Sequence, residues 1–130
     1  QILWPDHCVR NSFGSEFPFA LNTKKIHRIF YKGTDKNIDS YGGFLDNDRK
    51  KKTGLEEYLK QKRIKDVYIV GLATDYCVLN TVKDARLRNY ETFLLGDAVR
   101  AVNVHPDDRR LALEEMMRLG AELTGIEALA

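Results

Sequence analysis

The stretch Val67-Tyr68-Ile69-Val70-Gly71-Leu72-Ala73-Thr74-Asp75-Tyr76-Cys77-Val78 decides the fold. Residues 67–72 form an almost unbroken apolar run with β-branched members. That is the composition of a strand buried on both faces of a parallel sheet. Thr74 and Asp75 are residue types that favour the start of a helix. Val78, Val82 and Ala85 then recur at i, i+4 and i+7, so residues 76–89 are predicted to form an amphipathic helix. A buried strand running straight into such a helix is half of a strand–helix–strand unit.

The pattern continues on both sides. Residues 91–96 read as a further strand. A last helix is predicted from Pro106, with Asp107 and Asp108 in its first turn, where negative charge suits the helix dipole. It should end before Gly120, and residues 121–125 suit a short final strand. Upstream, Thr53 and Glu56 have the spacing of a capping box, and Leu55, Tyr58 and Leu59 repeat at helical spacing. A helix from Thr53 follows. Residues 26–31 (Ile-His-Arg-Ile-Phe-Tyr) are predicted as the first strand, leading into Lys32-Gly33. Residues 1–24, punctuated by Pro5, Gly14 and Pro18, read as loop. So does the polar stretch 33–52, whose run Asp48-Arg49-Lys50-Lys51-Lys52 reads as a solvated surface. Strands alternating with helices give an α/β fold, with helices layered on a mostly parallel sheet. In such sheets ligands bind beyond the carboxyl ends of the strands. Lys32, residues 73–77 and Asp97 are thereby expected on one edge.

Composition bounds the function. At 130 residues there is room for one domain and not for two full ones. A formal charge of +2 argues against a nucleic-acid tail or a polybasic membrane surface. With 43% hydrophobic residues a packed core is attainable, yet no apolar run approaches the roughly 18–20 residues of a membrane helix. No stretch reads as a signal peptide. The two cysteines, Cys8 and Cys77, form no CxxC, so a cytoplasmic chain with reduced thiols is expected. The chain opens at Gln1, without Met, directly into an apolar and aromatic run. That start is expected to be a cut inside a longer sequence.

Cys77 is the sharpest chemical candidate. It lies in the turn from strand to helix, where unpaired N–H groups and the positive end of the dipole favour a thiolate nucleophile. The same N–H groups suit an oxyanion. A small Cys packed in the core is the alternative that position alone leaves open. Lys32 follows a predicted strand on the same edge and could partner a thiolate; alone, it reads rather as a strand-end Lys reaching solvent, and it is the pairing with Cys77 that favours a role. Local sequence makes His7 structural, because it lacks the partners of a metal site. Trp4 could stack on an aromatic ligand or simply pack, and the same holds for Tyr41 and Phe44. No GxGxxG, no GxxxxGK[ST] and no GxSxG is present, which argues against dinucleotide, P-loop and serine-elbow chemistry.

Taken together, Trp4-Pro5-Asp6-His7-Cys8-Val9, Tyr31-Lys32-Gly33-Thr34, Ile38-Asp39-Ser40-Tyr41 and Val70-Gly71-Leu72-Ala73-Thr74-Asp75-Tyr76-Cys77-Val78 resemble the nicotinamidase branch of the isochorismatase-like cysteine hydrolases. The loop Phe44-Leu45-Asp46-Asn47 and the region Asp97-Ala98-Val99-Arg100 add to the resemblance, which covers nearly the whole chain. It implies a three-layer α/β/α, isochorismatase-like (Rossmann-like) hydrolase fold. It also implies hydrolysis of nicotinamide to nicotinate and ammonia, in NAD salvage, through a thioester on Cys77. Lys32 would support the thiolate and its acidic partner. A cis Leu72–Ala73 peptide would aim the Ala73 and Cys77 N–H groups at the oxyanion. Trp4 and Tyr41 would line the pyridine pocket, and His7 becomes a ligand of a divalent metal, zinc first, with iron or manganese as alternatives. A homo-oligomer is compatible with the family.

The family's catalytic Asp belongs to a D-x-Q element, and its other metal ligands to a D-x-H element, both upstream of the W-P-x-H-C loop. Neither is in these 130 residues. Residues 1–130 are therefore expected to be the C-terminal part of one hydrolase domain, lacking its opening strands and partnered by the missing N-terminal segment. Other readings are a different small-amide cysteine hydrolase of the superfamily, or a non-catalytic fragment lacking the catalytic Asp.

Overall fold

A computed structural model describes residues 2–130. Its elements are α1 (Leu55–Gln61), β1 (Asp66–Leu72), α2 (Leu79–Leu87), β2 (Glu91–Arg100), α3 (Asp108–Arg118) and β3 (Glu122–Thr124), with short turns elsewhere. The three strands form one parallel sheet in the order β1-β2-β3. The alternation of strand and helix read from the sequence therefore stands from residue 55 onward.

The core lies between one face of the sheet and the helices. Val67 pairs with Thr92 and Ile69 with Leu94, so these four side chains share a face. Leu94 packs with Val78, Val82, Val99, Ala112, Met116 and Ala121. A second cluster, Phe44, Leu45, Ala85 and Tyr90, packs against Leu55, Leu59, Val67 and Ile69. The repeat Val78, Val82, Ala85 is thus the buried stripe of the central helix, and Val82 and Met116 are fully enclosed. The helix α3 stops as expected. Gly120 takes φ +89°, its N–H donates to the Met117 carbonyl, and the Ala121 N–H donates to the Met116 carbonyl.

Several local expectations are corrected. β1 is not buried on both faces. Its residues alternate between exposed and half-buried, because Val67 and Ile69 face the core while Tyr68, Val70 and Leu72 lie on the opposite, exposed face. Residues 26–31 form no strand. A strand needs a hydrogen-bonded neighbour, and among the described residues no backbone hydrogen bond reaches residues 27–34. The capping box at Thr53 is not closed. Gly54, at φ +90°, is the residue before α1, and Thr53 Oγ1 accepts from the Leu55 N–H at 3.2 Å. Glu56 turns elsewhere. The central helix begins at residue 74 rather than 76, with a wide turn in which the Ala73 carbonyl accepts from both Tyr76 N–H and Val78 N–H. Asp75 does not cap it. Its carboxylate accepts from the Val102 and Asn103 N–H groups and ties down the loop after β2.

At the end of β1 the register shifts against β2, and Gly71 takes φ +112°, a conformation that a side chain would strain. The Leu72–Ala73 peptide is cis, as the resemblance implies.

Glu56 links α1 to α2. It accepts from Lys60 Nζ at 2.6 Å and from Arg88 Nε at 2.8 Å. Arg88 also reaches Asp84 at 3.3 Å and lies 4.8 Å over the Phe44 ring. The hydrogen bonds from Lys60 and Arg88 hold the Glu56 carboxyl down at about 2, from an ordinary 4.5. A carboxylate held low stabilises the fold above its unfolded value and stops doing so as pH falls through its folded value. Glu56→Gln should therefore lower stability by about 1–3 kcal/mol at neutral pH. The gap in Tm between variant and parent should narrow from pH 4.5 downward and close near pH 2, as thermal unfolding across that range will show.

Candidate active site

Cys77 sits in the wide turn (Thr74–Val78) that follows β1, half-buried, with its carbonyl accepting from Thr81 Oγ1 at 2.7 Å. Lys32 comes from a segment 45 residues upstream and places Nζ 3.4 Å from Cys77 Sγ. The same ammonium donates to the Ser40 carbonyl at 2.6 Å. The juxtaposition expected from sheet topology is thus present, although no strand carries Lys32. Lys32 has no carboxylate partner among the described residues. The ammonium is thus placed to donate to the sulfur, the atom through which cysteine acts as a nucleophile. Cys8 is exposed and free, so the two cysteines form no disulfide.

The loop bearing Ser40 is fixed to the helix bearing Cys77. Gly43 N–H donates to Thr81 Oγ1 at 2.9 Å, and that hydroxyl in turn donates to the Cys77 carbonyl. Arg49 pairs at 3.0 Å with Asp84, a buried carboxylate on α2. Of the basic run at 48–52, Arg49 thereby docks the loop, while Lys50 and Lys52 stay at the surface on Asp48 and Glu57. Phe44 is a packing residue, enclosed against Tyr90 and Arg88.

Beside Cys77 stand three aromatic rings. Trp4 meets Tyr76 edge-on at 4.9 Å between centroids, and Tyr41 meets Tyr76 at 5.5 Å. Trp4 Nε1 donates to Tyr41 Oη at 3.0 Å, and Tyr41 donates to Asp39 Oδ2 at 3.3 Å. Burial pushes the Tyr41 phenol up, so it stays protonated at neutral pH and can make both bonds. Burial raises the Tyr76 phenol as well. Tyr41 and Tyr76 also border a groove of about 450 Å³ that continues over Asn47, Arg49, Asp75 and Asn80. A smaller hollow of about 20 Å³ lies at Lys32 and Ser40.

His7 is exposed on the same N-terminal segment as Trp4. Its Nδ1 lies 2.7 Å from the Pro5 carbonyl, an acceptor only, so Nδ1 donates and, in the neutral ring, Nε2 holds the free lone pair. That makes one donor for a cation. Among the described residues no three His, Cys, Asp or Glu side chains stand together as a metal site requires, so these residues do not by themselves fit a metal centre. Asp97, expected at the strand end, lies inside β2. Its carboxylate accepts from the Ile126 N–H at 3.0 Å and holds the C-terminal turn.

The sequence points to Cys77, Lys32, Ala73, Trp4, Tyr41 and His7. It gave no separate role to Tyr76, whose place next to Cys77 was the available signal, nor to Thr81, four residues on. The Ser40 carbonyl carries no side-chain signal at all. Ala73 follows β1 and its carbonyl opens the turn, so Ala73 and Cys77 bracket one backbone segment.

The chain matches the isochorismatase domain family over residues 3–128. It is 43% identical to a nicotinamidase of Escherichia coli over 95% of this chain and 58% of that relative. A solved nicotinamidase/pyrazinamidase of Acinetobacter baumanii superposes with a TM-score of 0.94 at 35% identity, over 100% of this chain and 62% of that one. A pyrazinamidase of Pyrococcus horikoshii, solved in complex with zinc, superposes with a TM-score of 0.82 at 36% identity, over 95% of this chain and 64% of that one. The chain spans a little over half the length of the curated relative it matches.

Proposed function

This chain belongs to the isochorismatase domain family, and from that premise we propose that the full-length protein is an amidohydrolase that converts nicotinamide to nicotinate and ammonia. The observation that carries the reading is the Lys32 ammonium 3.4 Å from the Cys77 sulfur, beside the Trp4, Tyr41 and Tyr76 rings. Those rings, set edge-on to one another, offer aromatic surface to an aromatic amide, with the nucleophile one residue from Tyr76.

The chemistry follows from the nucleophile. The Cys77 thiolate attacks the carboxamide carbon, and the carbonyl electrons move onto oxygen. We assign the Ala73 and Cys77 N–H groups to that oxyanion. Collapse of the tetrahedral adduct breaks the C–N bond, and the nitrogen leaves as ammonia after taking up a proton. The thioester is then hydrolysed by water, which frees nicotinate and restores the thiol. The resemblance gives the proton transfers to an Asp of a D-x-Q element, which residues 1–130 do not contain. Lys32 would hold both the thiolate and that carboxylate. We place His7 Nε2 as one donor to a divalent metal, zinc first, since one relative was solved with it, and iron or manganese after it. The proposal includes a cytoplasmic setting and a homo-oligomer as an allowed assembly. No described helix is long and apolar enough to cross a membrane.

The test is ammonia release by the full-length protein from a panel of amides. Nicotinamide and pyrazinamide should be turned over, and aliphatic amides and ureides should be poor substrates. Preference for an aliphatic amide would replace this reading with another hydrolase of the superfamily. No turnover of any amide, with Cys77 no more reactive than Cys8, would leave a non-catalytic protein.

A further inference from the structure

We infer that Asn47 is a positioning residue for the Lys32–Cys77 pair, an inference that rests on the reading of Cys77 as nucleophile. Lys32 is exposed, and its own stretch of backbone makes no hydrogen bonds among the described residues. Where its ammonium stands is therefore set by its acceptors. The shorter contact is the Ser40 carbonyl, at 2.6 Å against 3.4 Å to the sulfur. A charge-assisted bond of that length makes the Ser40 carbonyl the anchor, and the sulfur the group it is aimed at.

Asn47 grips the backbone on both sides of Ser40. Its N–H donates to the Asp39 carbonyl at 2.9 Å, and its Oδ1 accepts from the Tyr41 N–H at 3.0 Å. Asn47 itself sits on a fixed turn. The buried neighbour Asp46 donates its N–H to the Lys51 carbonyl and accepts the Lys50 N–H on Oδ1. The Thr81 hydroxyl, bonded to Gly43 and to the Cys77 carbonyl, registers the same loop on the nucleophile's helix. The amide of Asn47 thus fixes the direction of the carbonyl that holds the lysine over the sulfur. It touches neither reacting atom.

Alkylation of Cys77 tests this without requiring any amidase activity. In the full-length protein, Asn47→Ala and Asn47→Asp would each be made in the parent and in a Lys32→Met background. Carboxamidomethylation by iodoacetamide at pH 7 is followed by peptide mass spectrometry, with Cys8 as internal reference. Asn47→Ala should slow Cys77 about threefold to tenfold, the equivalent of one hydrogen bond. Asn47→Asp keeps an acceptor for the Tyr41 N–H and should restore the rate. In the Lys32→Met background neither substitution should change it further, because the group through which Asn47 acts is gone. An unchanged rate in Asn47→Ala, a loss of the same size without Lys32, or failure of Asn47→Asp to restore it would overturn the inference. The expected alkylation pattern with no ammonia released from nicotinamide would keep this inference and reject the proposed substrate.

Discussion

Cys77→Ala should abolish ammonia release from nicotinamide, lowering kcat by about 10⁴-fold or more. A covalent route through sulfur has no substitute once the sulfur is removed. Water held in the same pocket must then attack the amide unaided, and only binding and oxyanion contacts remain to help it. The fold should tolerate the change. Cys77 is half-buried, its sulfur meets Lys32, and the turn around it is held by the Tyr76 and Val78 N–H groups donating to the Ala73 carbonyl and by the Thr81 hydroxyl donating to the Cys77 carbonyl, none of which uses the Cys77 side chain. Nicotinamide should still bind, because the rings of Trp4, Tyr41 and Tyr76 are untouched. Ammonia release and ligand binding measured on the same preparation separate the two effects. Turnover within tenfold of the parent would show that Cys77 is not the nucleophile.

The sequence made the centre of this molecule legible because its signals there are local. The β-branched apolar run before Cys77 specifies a strand by composition and the stripe Val78, Val82, Ala85 a helix by period, and both appear. Gly120 marks the end of α3 because a positive φ favours glycine. Signals that depend on a distant partner are not legible from the sequence alone. Residues 26–31 have strand composition, but a strand exists only with a neighbour to bond. Thr53 and Glu56 have capping-box spacing, yet Glu56 is drawn to Lys60 and Arg88, whose charges attract it more than an N–H can. Asp97 looked like a strand-end residue because the strand's bend, where the register shifts, leaves no mark in hydropathy. At the site, side-chain roles could be carried over from motif to residue. The Ser40 carbonyl and the Asn47 grip could not, since backbone acceptors have no residue code.

Lys32→Met should reduce kcat/KM for nicotinamide about 10²- to 10³-fold, the loss seen when one preorganised electrostatic partner is removed. Methionine preserves much of the stem and deletes the charge, so packing at this exposed position changes little. What disappears is the cation 3.4 Å from Cys77 Sγ. The loss should fall on steps that form or expel the thiolate, so kcat/KM and Cys77 alkylation should decline together, while binding of nicotinate is retained. Lys32→Arg makes a stricter comparison. It keeps the charge, but a planar fork replaces a compact ammonium that now sits between the Ser40 carbonyl and the sulfur. Partial recovery by Arg would assign the effect to charge, and none would assign it to the placement of that charge. Full activity in Lys32→Met would show that proximity to Cys77 is incidental, and the nucleophile would then need another source of activation.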